Sequence, residues 1–333
     1  MSVAWKRSIG ASAATPDPAG PPLSQRRLHF VLGKGGVGKS TVSAALGLAF
    51  ARAGRRTLVI EVAGQERLSR LFRGAAVGHE QETELAPGLF GVSIDVEHSI
   101  EEYLSGQFKV RPLVELLTRS RAFHTFAAAA PGLPELVTVG KVWTYAVALH
   151  EDRRPVWDAL VVDCPATGHG IALLETAGSV ETLAGGGPIH DQAARIKEVV
   201  THPAATGILI VARPDELAVS EAVEAAGALR RGGMPVAAAV LNGVRDTRFR
   251  PEDAFALEAL AATANGTASQ AAAAGLRHLA DQGCDDAYRR RLAEGTGLPV
   301  LDLPELVRRR FDLREIETLA GALTETASRN GHP

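Results

Sequence analysis

Gly33-Lys34-Gly35-Gly36-Val37-Gly38-Lys39-Ser40 follows directly on the apolar run Leu28-His29-Phe30-Val31-Leu32, and continues through Thr41 into helical apolar spacing up to Arg52. The octapeptide fits G-x-x-x-x-G-K-[ST], and the strand–loop–helix setting is the one in which that pattern cradles phosphate. Each residue type has a physical reason. Glycines allow the backbone to turn successive N–H groups toward one anion. The helix that follows adds the positive end of its dipole. Lys39 brings a compact charge to the β- and γ-phosphates, and the Ser40 hydroxyl is a hard oxygen ligand for Mg2+. The stretch from Gly33 to Thr41 therefore predicts a site for ATP with magnesium.

Working outward, Gly54 closes the helix and Thr57–Val62 reads as a second buried strand. Strand, helix and strand make a βαβ unit, which implies a parallel sheet covered by helices. Gly91–Val96, Ala159–Cys164, Gly207–Ala212, Val236–Leu241 and Pro299–Leu303 are further strand candidates, mostly continuous apolar runs as buried parallel strands require. The expected fold class is α/β, a P-loop NTPase whose mostly parallel central sheet is flanked by helices. Residues 97–158 are too many for one crossover helix and predict a helical insertion; an alanine-rich block at 251–294 predicts a second. Gly185-Gly186-Gly187-Pro188 marks a break inside the fourth crossover. Only one phosphate loop occurs, so the chain reads as a single ATPase domain over 27–327 rather than a tandem duplication. Residues 1–26, rich in Ser, Ala, Pro and Gly, read as a disordered leader and 328–333 as a tail.

Composition narrows the partners. The 333 residues carry a net charge of −2, with 46% hydrophobic and 22% charged side chains, so no global pull toward nucleic acid or anionic membrane is built in. The pairs and triplets of arginine at 153–154 and 308–310 stand among acidic neighbours and read as solvated loops or helix ends. No run approaches the length of a membrane-spanning helix, so a cytoplasmic location is expected, with membrane association only peripheral and through a partner. Cys164 and Cys284 lack any C-x-x-C spacing and suit a reducing compartment. Only six lysines occur against a background of arginine, and two of them, Lys34 and Lys39, fall inside the phosphate loop.

A lysine directly after the first glycine, as in Lys34-Gly35-Gly36-Val37-Gly38-Lys39-Ser40-Thr41, resembles the deviant loop of the MinD/ParA-like ATPases. Within that superfamily the chain is similar to the ArsA-type ATPases, the arsenite-pump and tail-anchored-protein targeting factors. Four more segments carry the resemblance: Asp163-Cys164-Pro165-Ala166-Thr167-Gly168-His169, Val240-Leu241-Asn242-Gly243, Leu301-Asp302-Leu303-Pro304 and Pro131-Gly132-Leu133-Pro134-Glu135. The wording looks closest to a bacterial subgroup that often occurs as paired paralogues. Asp163 ends an apolar strand, so by itself it is either a metal-holding carboxylate at the sheet's carboxyl edge or a turn former; the resemblance favours the metal. Thr167 and Gly168 would form a switch turn, and His169 reads as structural. Asn242 has the donor–acceptor pair to read an adenine edge, or is a simple turn residue before Gly243. The resemblance places Asn242 and Pro304 at the nucleotide. It also implies a dimer, with itself or with a paralogue, in which Lys34 reaches across to the partner's phosphates while Lys39 acts in cis.

One segment departs from the family. After the second strand, ATPases of this family with strong hydrolysis carry D-P-A-H-x-x-x-D, whose last aspartate positions water. Here the chain reads Glu61-Val62-Ala63-Gly64-Gln65-Glu66-Arg67-Leu68-Ser69-Arg70, with Arg70 and Ala63 at the acidic positions. Glu61 or Glu66 is left to orient the water, and turnover is expected to be weak. A thiol cluster for arsenite is missing, as are the zinc C-x-x-C and methionine-rich groove of eukaryotic targeting factors; the chain has two cysteines and two methionines. The expected role is a dimeric nucleotide switch for an unidentified protein client. The alternative is a weakly hydrolysing regulatory subunit of a paralogous ATPase.

Overall fold

Continuous apolar strands require burial on both faces, and the computed structural model supplies it. It describes residues 21–62, 67–72, 77, 81–96, 98–100, 132–263, 265–308 and 311–329. Eight strands are found: β1 (Leu28–Gly33), β2 (Thr57–Val62), β3 (Thr83–Ala86), β4 (Leu89–Ile94), β5 (Ala159–Asp163), β6 (Thr206–Ala212), β7 (Val236–Val244) and β8 (Val300–Pro304). They form one sheet in the order β3-β4-β2-β5-β1-β6-β7-β8, parallel except for β3 against β4. Every residue of β1, β5 and β6 is buried. The seven strands expected from sequence are all present within a residue or two at their starts, though β7 runs three residues further. The eighth, β3, is a short edge strand joined to β4 by the turn at Pro87-Gly88, where Gly88 takes φ +76. Its Thr-Glu-Leu-Ala is half-exposed and carries no continuous apolar signal.

Two layers of helices cover the sheet. α1 (Lys39–Arg52) connects β1 to β2 and packs with α2 (Arg67–Leu71) and with α9 (Leu313–Arg329) near the chain's end. α4 (Thr167–Ala184), α5 (Pro188–Thr201), α6 (Glu216–Arg231) and α8 (Thr267–Thr296) pack among themselves. The connection β1–α1–β2 steps one way along the sheet and β5–α4–α5–β6 the other. Right-handed crossovers therefore put the two groups on opposite faces.

Of the expected insertion at 97–158, residues 97 and 101–131, Pro131 of the quoted segment included, lie outside the described residues. The remainder forms α3 (Leu133–Val147) and an isolated bridge between Leu149 and Pro155. The second insertion is a helical hairpin, α7 (Ala254–Thr263) against α8. α7 buries none of its residues, leaving Phe255 81% and Leu260 45% exposed. Among the described residues no helix is long and apolar enough to cross a membrane.

The expected leader is corrected at its inner end. Residues 23–25 form a 3-10 turn, Leu23 is buried in the core, and Arg26 and Arg27 are buried at the lower, amino-terminal edge of the sheet. Residues 1–20 lie outside the described residues. At this edge arginines are held by carbonyls and rings. Arg27 Nε donates to the Trp157 carbonyl at 2.9 Å, and Arg26 donates through Nη1 to the Thr206 carbonyl at 3.0 Å. Arg55 Nη2 donates to the Arg26 carbonyl at 2.7 Å, and the Arg56 guanidinium lies 4.3 Å from the Phe90 ring centre and 4.7 Å from that of Trp157. Burial lowers the pKa of Arg26 and Arg27 to about 10, so both stay charged near neutrality.

Candidate nucleotide site

The opposite, carboxyl-terminal edge of the sheet gathers the chemistry. β1 sits between β5 and β6, so the loop leaving it opens over the centre of the sheet. Gly33, Gly36 and Gly38 have φ of +154, +87 and +93, a backbone that side chains resist. A Cβ on Gly33 would collide with the Val211 carbonyl, and one on Gly38 with the Asn242 side chain. Gly35 and Val37 complete the loop, and α1 begins at Lys39 with Ser40 and Thr41 in its first turn. The quoted stretch therefore has the left-handed glycines and the following helix N-terminus from which an anion nest is built.

Sheet register brings the carboxylates to the same level. Asp163 on β5 pairs with Val31 on β1 and with Glu61 on β2. Asp163 is 3% exposed, and its pKa is raised to about 6, first by burial and also by the neighbouring Glu61 charge. The Ser40 hydroxyl, Arg67 and Lys39 pull the other way. Ser43 Oγ donates to Asp163 Oδ1 at 3.4 Å. Lys39 is 5% exposed and donates from Nζ to the Lys34 carbonyl at 3.0 Å. Its pKa is lowered, chiefly by burial, with Asp163 opposing the shift. Ser40 and Asp163 offer the hydroxyl and carboxylate that a phosphate-bound Mg2+ takes from a protein. Two buried oxygens, Glu61 Oε2 and Thr167 Oγ1, have no hydrogen-bond partner, which is the condition of groups that wait for a ligand or water. The donor set thus fits magnesium carried in on phosphates.

Two further cations stand at the loop. Lys34 Nζ forms an ion pair with Glu221 Oε1 on α6 at 3.1 Å. Both side chains are about one-third exposed, so the pair is screened and contributes under about 1 kcal/mol. A groove of about 790 Å³ between α4 and α6, lined by Thr167, Ile171, Glu221 and Arg231 among others, adjoins this pair.

Arg67, at the start of α2, reaches the loop. Its Nη1 donates to Ser40 Oγ at 3.0 Å, while its backbone N–H donates to Glu61 Oε1 at 2.9 Å. Arg70 stands exposed in the last turn of α2. Glu61 is 1% exposed and anchors the start of α2. Glu66 and Ala63 lie outside the described residues.

Asn242 is placed beside the loop, where its Nδ2 donates to the Val37 carbonyl at 2.8 Å. It braces the phosphate loop from β7. Pro304 ends β8, which pairs with β7 at Asn242 through Leu303. Sequence reading missed Arg67 and Glu221. Neither belongs to a motif, and only the packing of α2 and α6 against the loop brings them to it.

A strand–nest–helix over a parallel sheet, with a loop lysine, a helix serine and a strand-end aspartate, defines a P-loop NTPase. Comparison with known proteins resolves it further. The model of the Anion-transporting ATPase family matches residues 26–185. The ATPase BagA of Mycobacterium tuberculosis is 34% identical over 256 residues, covering 75% of this chain and 74% of that protein. ATPase GET3 of Podospora anserina is 28% identical over 155 residues, 46% of this chain and 44% of its own. The arsenical pump-driving ATPase of Escherichia coli is 26% identical over 251 residues, 68% of this chain and 41% of its own. The chain belongs to the ArsA-type ATPase family.

Proposed function

We propose that the protein binds and slowly hydrolyses ATP with Mg2+, and works as a dimeric nucleotide switch, with itself or a paralogue, over a protein client. The observation that carries this reading is the meeting of Lys39 and Arg67 at one glycine-rich loop above Asp163, with Lys34 held at its rim by Glu221. Backbone N–H groups of Gly33 to Thr41 would bind the β-phosphate, and Lys39 the β- and γ-oxygens. Ser40 and Asp163 would hold Mg2+, which would supply positive charge against the charge developing on the phosphates. Thr167, at the start of α4, has a free hydroxyl to sense the γ-phosphate. Asn242 and Pro304 would flank the base.

The dimer reading is supported by exposure around Lys34. Glu221 binds it weakly, and Leu217, one turn earlier on α6, is 56% exposed. Exchange of Glu221 for a partner's phosphate costs little in screened solvent. The client reading is supported by a groove of about 160 Å³ between α3 and α5, lined by Leu136, Val137, Lys141 and Ile189 among others, and by the exposed Phe255 and Leu260 of α7. Arsenite finds no comparable support, because Cys164 is buried and Cys284 exposed with no cluster of thiols among the described residues. A cytoplasmic place, without nucleic acid, suits the near-neutral charge.

A specific observation favours the second reading, a regulatory subunit of a paralogous ATPase. α2 reads Arg67-Leu68-Ser69-Arg70-Leu71 and offers no carboxylate to orient water. Glu61 spends one oxygen on the Arg67 backbone N–H, which leaves it a single unpartnered oxygen to meet a water.

ATP turnover and light scattering of wild type, Lys34→Ala and Lys39→Ala decide between the two. ATP-promoted dimers with turnover lost in both variants support the switch. Tight ATP binding with no turnover in wild type assigns the regulatory role.

A further inference from the structure

Arg67 has no place in the loop motif, yet its guanidinium sits on the hydroxyl that a nucleotide-borne magnesium ion would use. Nη1 is 3.0 Å from Ser40 Oγ, and the positive charge acts on both Asp163 and Lys39. Its root is fixed. The Arg67 backbone N–H is held by Glu61, and the next residue, Leu68, is fully buried in the core beneath α2. The stem between that root and the guanidinium is a flexible chain of three methylenes. The charge can therefore leave Ser40 without leaving the site.

A serine oxygen has two lone pairs, and an arginine N–H and a divalent cation both seek them. Arg67 is itself exposed, so solvent screens it in part, but two cations in contact with one oxygen still repel. The arrangement makes them alternatives.

We propose that Arg67 is a built-in cation that competes with Mg2+ for Ser40 and the field of Asp163. Nucleotide bound without metal keeps the guanidinium there as a stand-in counter-charge. Arrival of the ion displaces the guanidinium from Ser40, while Glu61 and the buried Leu68 keep the root of the side chain in place. The site thus trades one positive charge for another, and its affinity for nucleotide depends less on magnesium than the loop alone dictates. This rests on the nucleotide-site reading above, and deepens it by naming what the metal must displace.

The test measures metal coupling, the ratio of affinities for a fluorescent non-hydrolysable ATP analogue in saturating Mg2+ and in EDTA. Wild type, Arg67→Gln and Arg67→Lys are compared, with circular dichroism melts to establish that each is folded. The expected ratio is about tenfold larger in Arg67→Gln than in wild type, because its metal-free affinity falls. Arg67→Lys, which keeps the charge but loses the planar fork, lies between them. Equal ratios in wild type and Arg67→Gln, with both binding the analogue, overturn the role of Arg67 and leave the nucleotide site standing. No binding by wild type in either condition removes the nucleotide site and this inference together.

Discussion

The two edges of the same sheet use positive charge in opposite ways. At the lower edge Arg26, Arg27 and Arg55 donate to backbone carbonyls, and Arg56 stacks on Phe90 and Trp157. Each partner there is part of the fold, so these charges are spent on stability. At the upper edge Lys39 leans on a loop carbonyl, Lys34 on an exposed glutamate and Arg67 on a serine hydroxyl. Those partners are replaceable, and buried oxygens of Glu61 and Thr167 stand unsatisfied beside them. A fold that ties its cations to its own carbonyls and rings on one side, and leaves them on replaceable partners on the other, has separated scaffold from site.

That contrast breaks first at Lys39. Lys39→Ala removes the cation that follows the β- and γ-phosphates, and ATP turnover should fall by about 100-fold or more with the melting temperature almost unmoved. A phosphate-release assay and a thermal melt check the two halves. Arg27→Ala should show the reverse. It strands the Trp157 carbonyl and empties a buried position, costing about 2–4 kcal/mol in urea unfolding while the surviving folded protein binds nucleotide as wild type does.

Asp163 sharpens the comparison through pH. Its pKa in the fold, about 6, exceeds the ordinary carboxylate value. The stability it contributes is therefore complete below about pH 4 and lost as pH rises through 6, where the charged form is held at a cost. Asp163→Asn in protein without added metal or nucleotide should be more stable than wild type by about 1–3 kcal/mol at pH 8, with no gain at pH 4. Melts at the two pH values check this. In the wild type, Mn2+ affinity in the presence of the ATP analogue should decline as pH falls through 6, because the carboxylate that would hold the ion takes up a proton.

The smallest effect is expected at Glu221. Glu221→Gln frees Lys34 from a screened pair and should tighten ATP-promoted association by about threefold, read by sedimentation. Unchanged association would mean that Lys34 does not reach a partner.

Much of this was legible in the chain itself. Buried strands such as Leu28–Gly33 and Thr206–Ala212 are apolar without interruption, and the loop between β1 and α1 has almost no alternative reading. The level of Asp163 beside the loop followed from its place at a strand end. What stayed hidden depends on tertiary placement. β3 is too short and too polar to signal itself, and the contact of Arg67 with Ser40 exists only because α2 packs beside the phosphate loop. Asn242 read as a base-contacting or turn residue, and its hold on the Val37 carbonyl is visible only once β7 lies beside β1's loop.

Of the three tryptophans, two are described. Trp157 is 2% exposed at the lower edge, edge-on to Phe90 at 5.3 Å and capped by Arg56, and Trp143 is half-buried on α3. Neither belongs to the nucleotide site. The protein therefore carries an optical gauge in which one emitter is clamped and serves as reference. With Trp5 replaced by Phe, a spectral change on adding ATP would be light from Trp143 in the helical region, a direct view of a signal that has left the phosphate loop.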